Sequence, residues 1–429
     1  LLSLSLVAHT SQACTSISTP VPDGTAVVGR TMELNVAKGA FSHILELNGL
    51  NLTQKQFDKP ASSIDKDLDS LIPWLIGVHP LDQQHGGCVL CENSSTWNSK
   101  YSFVSVDVRI DLESDDEVLR GFMDEFNVTL DGSGMNDVLE FSTDGMNEAG
   151  LTVSSLMFHG STYQTPPPIN TSTDLTATPT SPLRKSISKS DITANIPVSS
   201  SPSSTKVCWL DLSHWILGNF ENVADLKDVL LDQEAIYTIG PVNPMLSFFN
   251  IHWRVDDPEG KSIVIEYVDG KLSIHNNTVG VVTNDPPFDW HLRNLGNYIN
   301  LRPTRDIDPK TDTGFVQVDS DIGLVPSQPG SGSNTIGMPG DYTSASRFVK
   351  MFYLSQMVLF NGPIKTVEDA IQLVSGLLES VFIPKGVIAD PKSEYFGHEL
   401  TQYTVMKVPQ KKAFYYKDYY NNQWRKLDL

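Results

Sequence analysis

The chain has 429 residues, of which 40% are hydrophobic and 19% are charged, a composition typical of folded globular proteins rather than of disordered or fibrous ones. Its formal net charge of -20 disfavours nucleic acids and anionic membranes as partners, because both are bound through clustered Lys and Arg. No stretch reaches the roughly 20 consecutive apolar residues that cross a bilayer, so we predict no membrane span.

The chain opens with a short apolar run, LLSLSLVA, which is followed by SQA and Cys14. This arrangement is typical of a signal peptide and its small-residue cleavage site, so we predict a signal peptide over residues 1–13 and an exported protein, whether secreted, periplasmic or in the lysosomal and secretory pathway. Two alternatives are a short N-terminal strand and a lipoprotein anchor at Cys14, although such anchors usually have Leu where this chain has Ser11. Cleavage after Ala13 gives Cys14 both a thiol and a free α-amine.

Strand signals dominate the first part of the chain. Two β-branched segments around the turn VPDG predict a β-hairpin over residues 14–35, whereas residues 48–145 show no regular pattern. Residues 144–158 predict a turn, shaped by Asn147, and then a buried strand. The Ser/Thr/Pro-rich tract at 161–205 has too few apolar residues to form a core, so we predict a disordered insertion there.

Helices and strands follow in blocks after that tract. Residues 209–230 show helical periodicity in two pieces, with Asn222 as a cap. Alternating apolar residues and short turns predict an antiparallel meander of four strands over 251–285. Two amphipathic helices, each with Thr or Ser at its N-cap, are predicted at 343–360 and 366–382. The C-terminal tail then returns to strands.

The four cysteines and ten histidines form no recognisable metal motif. Cys88 and Cys91 form a C-x-x-C pattern, and no second pair follows at metal spacing, so we expect a local disulfide or free thiols. Cys208 lies in apolar sequence and is interpreted as a core residue. The histidines are spread singly and are interpreted as surface or core residues. We therefore predict no metal and no organic cofactor.

Cys14 is the candidate nucleophile. The chain has no G-x-S-x-G, no H-E-x-x-H and no Walker-type G-x-x-x-x-G-K motif, so hydrolase chemistry needs another nucleophile. An N-terminal cysteine needs no histidine, because its α-amine, with an ordinary pKa of about 7.7 to 8.0, accepts the thiol proton near neutral pH. Arg30, on the second strand of the predicted hairpin, lowers the thiol pKa if it lies close to the sulfur. The alternative is that Arg30 is a surface residue of the strand.

Several segments, in chain order, resemble the choloylglycine hydrolase family of N-terminal-nucleophile hydrolases, which contains bile salt hydrolases and penicillin V acylases. They are CTSI with DGTAVVGRTME, DGMNEAGLTV, GKSIVIE, NNTVGVVTNDPPFDWHLRNLGNYINLR, MPGDYTSASRF and LTQYTVM. The resemblance covers nearly the whole chain from Cys14 onward, except 161–205 and parts of 50–140. It implies a four-layer αββα sandwich of two antiparallel sheets between helix layers and, as is frequent in the family, a homotetramer. The order of elements is compatible with this and predicts one α+β domain over residues 14–429.

The resemblance also implies roles for individual residues. Cys14 aligns with the nucleophile of the family and Arg30 with the Arg beside it. Glu33 falls where Asp is usual, which implies that the Cys14 amine donates a hydrogen bond to a carboxylate one methylene longer. Asn284 aligns with the oxyanion Asn, whose side-chain amide faces the developing negative charge.

Two further site residues follow from the same resemblance. The second oxyanion donor is a backbone N–H on the residue that aligns with Met157, where Asn or Tyr is usual. Arg347 aligns with the last active-site Arg of the family. Without the resemblance, it would be interpreted as a cation on the surface of a helix.

The implied activity is hydrolysis of a linear amide bond through a Cys14 thioester, with a small-molecule N-acyl amide as substrate. The family accepts conjugated bile salts, phenoxyacetyl penicillin or N-acyl homoserine lactones. Two alternatives are a hydrolase of fatty-acid amides such as ceramides and N-acylethanolamines, and a secreted non-catalytic binding protein on the same fold.

Overall fold

The computed structural model of the protein describes its two large sheets, the helices around them and several short connections. The described residues are 14–37, 44–46, 74–88, 90–91, 94–111, 138–164, 205–232, 236–241, 250–303, 315–317, 324–326, 333–362, 364–389 and 396–429. The predicted signal peptide, residues 1–13, and residues 165–204 of the predicted insertion lie outside these ranges.

The first sheet has seven strands and is antiparallel throughout. In spatial order it contains β15 (Val281–Val282), β1 (Cys14–Pro20), β2 (Ala26–Ala37), β19 (Phe396–Val408), β20 (Ala413–Asp418) and β21 (Arg425–Asp428), with β18 (Ile388–Ala389) also paired to β19. The predicted hairpin is confirmed as β1 and β2, which turn at Gly24, where a φ of 91° favours glycine.

The second sheet has eight strands, antiparallel except for the pair β3 and β4. In spatial order it contains β14 (Lys271–Asn276), β13 (Ser262–Val268), β12 (Ile251–Asp256), β9 (Thr152–Met157), β8 (Val138–Asn147), β7 (Phe103–Asp111), β4 (Trp74–His79) and β3 (Ile44–Glu46). The predicted buried strand after Asn147 is therefore β9. The turn role of Asn147 is confirmed, because its side-chain oxygen accepts the backbone N–H groups of Ala149 and Leu151.

The predicted meander is confirmed for three of its four strands. β12, β13 and β14 are consecutive neighbours, but the fourth strand, β15, pairs with β1 of the first sheet. The chain leaves the meander at Gly280, whose positive φ of 71° permits the change of direction. This crossing places the residues after Val282 next to the beginning of β1.

Short strand pairs and helices complete the described structure. The strand pairs are β5 (Gln84–Gly86) with β6 (Thr96–Asn98), β10 (Thr205–Cys208) with β11 (Ile236–Ile239), and β16 (Phe315–Gln317) with β17 (Leu324–Pro326). The α-helices are α1 (Leu212–Asn219), α2 (Val223–Leu231), α3 (Phe288–Asn294), α4 (Ser344–Asn361) and α5 (Val367–Glu379). Short 3-10 helices span Leu295–Tyr298, Ser333–Thr335 and Pro409–Lys411. None of the described helices is both long and apolar enough to cross a bilayer.

Helices pack against both sheets. Helices α4 and α5 contact β1, and α5 also contacts β2, whereas α1 contacts β8 and β9 of the second sheet. The sheets meet each other where β1 contacts β9 and β19 contacts β8. Gly29 on β2 allows the close approach of α5, because a Cβ there would lie 2.4 Å from Val374 Cγ1.

The sequence predicts the helix starts well. The N-cap Asn222 accepts the Asp225 backbone N–H at 2.9 Å, and Thr366 forms a capping box with Asp369. The Thr343 side chain caps α4 by accepting the Ser346 backbone N–H. Local side-chain hydrogen bonds set these boundaries, so they can be read from the sequence.

Residues 48–145 contain strands that their pattern does not reveal. Along β7, Val104, Val106 and Val108 alternate with Ser105 and Asp107, yet all five side chains are buried. A strand that is buried on both faces is expected to be a run of apolar residues. β7 is buried on both faces but carries polar residues on one of them, so its pattern does not predict such a strand.

The Ser/Thr/Pro-rich tract is ordered at both of its predicted ends, so the prediction of disorder is wrong there. Ser161 and Tyr163 are buried, and the Tyr163 hydroxyl donates to the Ile251 carbonyl at 3.1 Å. At the other end, Thr205 begins β10. Composition averaged over the tract concealed Tyr163, whose ring lies among those of two tryptophans and a tyrosine.

The disulfide joins Cys91 to Cys208, and Cys88 is free. The expectation of a disulfide within the C-x-x-C pair is therefore wrong, and within that pair only Cys88 has a free thiol. Cys208 is a buried core residue as predicted, but it is paired. The fold brings the end of β10 against the β5–β6 segment, with 5.7 Å between the two Cα atoms. A partner 117 residues away cannot be identified from local spacing.

Removal of this disulfide in a Cys91→Ala/Cys208→Ala variant is expected to lower the free energy of unfolding by about 2 to 4 kcal/mol, because the bond closes a long loop in the unfolded chain. Urea denaturation measures the change. Cys88→Ala is the matched control and should unfold like the parent protein. Equal stability of the double variant and the control would contradict the expectation.

Candidate active site

Cys14 lies buried at the beginning of β1, with its sulfur facing two residues of β2. Arg30 Nη2 is 3.4 Å from Cys14 Sγ, and Met32 Sδ is also 3.4 Å from it. Alternate residues of a strand point to the same face, so Arg30 and Met32 reach the sulfur together. Arg30 is fully buried, so the alternative of a surface strand residue is wrong.

A buried ionic network holds the Arg30 guanidinium in place. Its Nη1 contacts the Asp144 carboxylate and donates to the Tyr403 hydroxyl at 2.6 Å, while Nη2 donates to the Ser155 carbonyl at 2.5 Å. Asp144 Oδ1 also accepts from Lys407 Nζ at 2.7 Å, and neither side chain of that pair is exposed. One carboxylate thus neutralises two buried cations.

Sequence reasoning assigned no role to these supporting residues. Asp144 begins the motif DGMNEAGLTV and Tyr403 lies within LTQYTVM, with Lys407 immediately after it. Both motifs carried the family resemblance, and their charged and hydroxyl side chains are the signal that marks them as site residues.

The main chain of Cys14 is held by two residues from distant parts of the chain. Its backbone N donates to Asn284 Oδ1 at 2.6 Å, and its carbonyl oxygen accepts from Arg347 Nη1 at 2.5 Å. Arg347 Nη2 donates to the same Asn284 oxygen at 2.8 Å. Because residue 13 precedes Cys14 in this chain, the nitrogen is a peptide amide; cleavage after Ala13 turns the same atom into the α-amine.

Arg347 occupies the first turn of α4 and points inward. Besides Cys14 and Asn284, it contacts the Thr15 hydroxyl, and its Nε donates to the Tyr342 carbonyl at 2.9 Å. Its side chain is buried, so the helix-surface alternative is wrong. Arg347 orders the main chain around Cys14, and none of its described hydrogen bonds involves the sulfur.

The Cys14 thiol is protonated at neutral pH in this environment. Burial raises its pKa above the ordinary value, whereas the Arg30 charge and backbone hydrogen bonds from Glu33 and Met157 act in the opposite direction. Burial is the largest effect, so the net shift is upward. A base is therefore needed to produce the thiolate.

Comparison with known proteins identifies the family. The family model of linear amide C–N hydrolases, choloylglycine hydrolase family, matches residues 193–429, more than half of the chain. The chain belongs to this family. The resemblance found in its motifs is thereby confirmed.

Individual relatives agree with this assignment. The chain is 31% identical over 290 residues to a bile salt hydrolase/transferase of Clostridium perfringens, covering 67% of this chain and 72% of that protein. It is 32% identical over 221 residues to a conjugated bile acid hydrolase of Lactobacillus acidophilus, covering 50% of this chain and 63% of the relative. A penicillin V acylase of Pectobacterium atrosepticum is 27% identical over 152 residues, which cover 35% of this chain and 32% of that acylase.

Solved structures show the same fold. A variant of the conjugated bile acid hydrolase from Clostridium perfringens superposes with a TM-score of 0.61 at 22% identity, covering 97% of this chain and 92% of that structure. Penicillin V acylase from Agrobacterium tumefaciens gives a TM-score of 0.56 at 17% identity, with 97% and 86% covered. The implied N-terminal-nucleophile hydrolase fold is confirmed at this level.

Asn284 and Met157 of this choloylglycine hydrolase family member meet beside Cys14. Asn284 Nδ2, which the resemblance directs at the developing negative charge, donates one hydrogen bond to the Met157 carbonyl at 2.8 Å. A side-chain amide has two N–H groups, so one remains. The Met157 backbone acts to lower the pKa of the Cys14 thiol, so it lies near the sulfur.

Glu33 does not make the hydrogen bond that the family resemblance implied. Its Oε1 accepts from Thr401 Oγ1 at 2.7 Å, and Oε2 has no hydrogen-bond partner among the described residues. The Cys14 nitrogen donates to Asn284 instead. Strand alternation explains the error: Met32 faces the sulfur, so the next residue, Glu33, points to the opposite face of β2.

Burial also makes Glu33 a weak acid. It raises the pKa of this carboxyl to about 7, even though the Arg347 charge acts to lower it. A group whose pKa is raised on folding holds its proton longer in the folded state than in the unfolded chain. The folded protein therefore loses stability as the pH rises from the ordinary glutamate pKa of about 4.5 to about 7.

We expect the free energy of unfolding to fall by about 3 kcal/mol across that range through Glu33 alone, and Glu33→Gln to abolish this part of the pH dependence. Urea denaturation at closely spaced pH values measures it. Glu259→Gln, the same change at an exposed position, should leave the pH profile intact. Parallel profiles for Glu33→Gln and the parent protein would show that Glu33 ionises normally.

Proposed function

We propose that the protein hydrolyses linear N-acyl amides after cleavage behind Ala13 has made Cys14 its first residue. The observation that carries the proposal is that three different residues hold three atoms of Cys14. Arg30 lies at the sulfur, Asn284 accepts from the nitrogen and Arg347 donates to the carbonyl oxygen. Such fixed geometry brings nucleophile and base together on one residue. Membership of an amide hydrolase family supports the same reading.

The first half of the reaction forms a thioester. The α-amine of Cys14 takes the thiol proton, and the sulfur attacks the amide carbonyl carbon. The Met157 backbone N–H and the remaining N–H of Asn284 Nδ2 donate to the developing oxyanion. The α-ammonium then passes its proton to the leaving nitrogen as the C–N bond breaks, which releases the amine.

The second half releases the acid. Water loses a proton to the α-amine and attacks the thioester carbonyl, and the C–S bond breaks as the thiol recovers its proton. Arg30 stabilises the negative sulfur in both halves. Arg347 is a positioning residue, because its hydrogen bonds hold Cys14 and Asn284 in fixed positions relative to each other. The mechanism uses no metal and no organic cofactor.

The proposed substrate class is an apolar acyl group joined to a small polar amine. Relatives named as conjugated bile acid hydrolases and penicillin V acylase support this class. Fatty-acid amides such as ceramides and N-acylethanolamines are the alternative. For the whole protein we propose export, a single domain over residues 14–429, a four-layer αββα arrangement and a homotetramer.

A substrate panel tests the proposal. Protein with Cys14 as its first residue, checked by mass spectrometry, is incubated with a glycine-conjugated bile acid, penicillin V, a long-chain N-acyl homoserine lactone and N-palmitoylethanolamine, and amine release is measured. Cleavage of any of the first three supports the proposed class, whereas cleavage of N-palmitoylethanolamine alone selects the alternative. No cleavage by correctly processed protein would favour a non-catalytic binding protein and reject the proposal.

A further inference from the structure

Three histidines and one aspartate converge between the second sheet and helix α1, outside the Cys14 site. His79 ends β4, His85 lies on β5, Asp107 lies on β7 and His214 lies in α1. The sequence shows these histidines only as single residues, and the burial of His79 and His214 agrees with their interpretation as core residues. Asp107 and His214 are far from the other two in sequence, so only the tertiary fold reveals the group, called here the histidine cluster.

Two imidazole nitrogens of the histidine cluster point at the same carboxylate. His79 Nε2 is 3.0 Å from Asp107 Oδ2, and His214 Nε2 is 3.1 Å from Asp107 Oδ1. One ligand atom from each of these three residues lies within 4.8 Å of the others. Two ligand atoms bound to one ion at about 2.0 to 2.2 Å are at most about 4.4 Å apart, so small side-chain shifts would bring all three residues onto a common metal ion.

The third imidazole completes a regular arrangement of rings. The ring centroids of His79 and His85 are 5.3 Å apart, those of His79 and His214 are 5.0 Å apart, and those of His85 and His214 are 5.4 Å apart. Three imidazoles on one tetrahedral ion, with metal–nitrogen distances of about 2.0 to 2.1 Å, place their ring centroids about 5 Å from one another. The ring spacing therefore suits three imidazoles around one ion. The His85 nitrogens lie outside the group of ligand atoms within 4.8 Å of one another, so His85 would reach the ion by a rotation of its side chain.

Three of the four side chains of the cluster are almost fully buried. His79 and His214 are each 4% exposed and Asp107 is 2% exposed. His85 Nε2 is buried and has no hydrogen-bond partner among the described residues. A buried imidazole nitrogen without such a partner lacks the contact that a metal ion would supply.

Gly77 makes this convergence sterically feasible. A Cβ at this position would lie 2.1 Å from Asp107 Oδ2 and 2.7 Å from His79 Nε2. Any other residue on this part of β4 would push the carboxylate and the imidazole apart. The backbone of the second sheet is therefore shaped to let these two groups meet.

We propose that His79, His214 and Asp107 bind a zinc ion, with His85 as the fourth ligand. Neutral imidazoles and one carboxylate form a donor set that suits Zn²⁺, and four protein ligands are typical of a structural rather than a catalytic zinc site. The ion would fasten the β5–β6 segment to helix α1. The Cys91–Cys208 disulfide joins the same two regions of the fold.

Metal analysis of the purified full chain tests the proposal. After treatment with a chelator and titration with ZnCl₂, the parent protein is expected to bind one zinc ion per chain and to unfold at a higher temperature. His85→Ala and Asp107→Asn should each weaken binding by at least about 10-fold. His275→Ala, a half-buried histidine on β14, is the matched control and should bind like the parent. The His85→Ala change disturbs folding least, because the nitrogen concerned makes no described hydrogen bond.

Cobalt substitution identifies the ligands. Co²⁺ in the histidine cluster should give the visible absorption of a tetrahedral ion without a thiolate charge-transfer band. A thiolate band would place the metal at Cys14 or Cys88 and overturn the proposal. Failure of the parent protein to bind zinc stoichiometrically, or unchanged affinity in both His85→Ala and Asp107→Asn, would overturn it as well.

Discussion

Cys14→Ala is expected to reduce amide hydrolysis to background, a loss on the order of 10⁵- to 10⁶-fold. Removal of a covalent nucleophile eliminates the thioester route, and the remaining oxyanion donors and bound water give only weak catalysis. Amine release from the best substrate of the panel measures the effect. Cys88→Ala removes the other free cysteine, which lies outside the site, and should retain the parent rate.

Two further measurements assign this loss to chemistry. Cys14→Ala should unfold within about 1 kcal/mol of the parent protein, because one buried sulfur is removed and the hydrogen bonds of the Cys14 main chain remain. A chain whose cleavage after Ala13 is blocked keeps the thiol but has no α-amine, and it should also be inactive. Amide hydrolysis by either protein would mean that the proposed mechanism is wrong.

Asp144→Asn is expected to lower the free energy of unfolding by about 3 to 5 kcal/mol. The substitution leaves the buried cations of Arg30 and Lys407 without their shared carboxylate, and an uncompensated buried charge is costly. Urea denaturation at neutral pH measures the change. Glu259→Gln breaks an exposed ion pair with Lys261 and should cost less than about 1 kcal/mol.

The same variant should also affect catalysis. Without Asp144 the Arg30 guanidinium loses its main anchor, so its position beside the Cys14 sulfur becomes less defined. We expect a lower kcat with a smaller change in KM, since the effect is on the attacking group. If Asp144→Asn were no less stable than Glu259→Gln and equally active, Asp144 would have no role in holding the site.

Much of the fold can be predicted from local sequence patterns. The hairpin β1–β2, the three-strand meander and the capped helices α2, α4 and α5 follow from alternation, turn residues and N-caps. The strands within 48–145 do not, because β7 buries polar side chains such as Asp107 among its valines. A polar residue looks exposed until the partner that satisfies it is known.

The candidate site, too, can be predicted only in part from local sequence. Cys14 and Arg30 are joined by the register of one hairpin, so their proximity follows from neighbouring sequence. Asn284 and Arg347, which bond to Cys14 from 270 and 333 residues away, were assigned only through the family resemblance. The direction of the Glu33 side chain was assigned wrongly from that resemblance.

The sequence by itself determined the family and many of the elements that carry the candidate site, because motifs, periodicity and caps are local properties. Only the tertiary structure decided which distant groups meet: the Cys91–Cys208 disulfide, the carboxylate of Asp144 between two cations, and the histidine cluster. The physical reason is that strand pairing and sheet packing join residues far apart in the chain, and a side chain alone does not specify its partner.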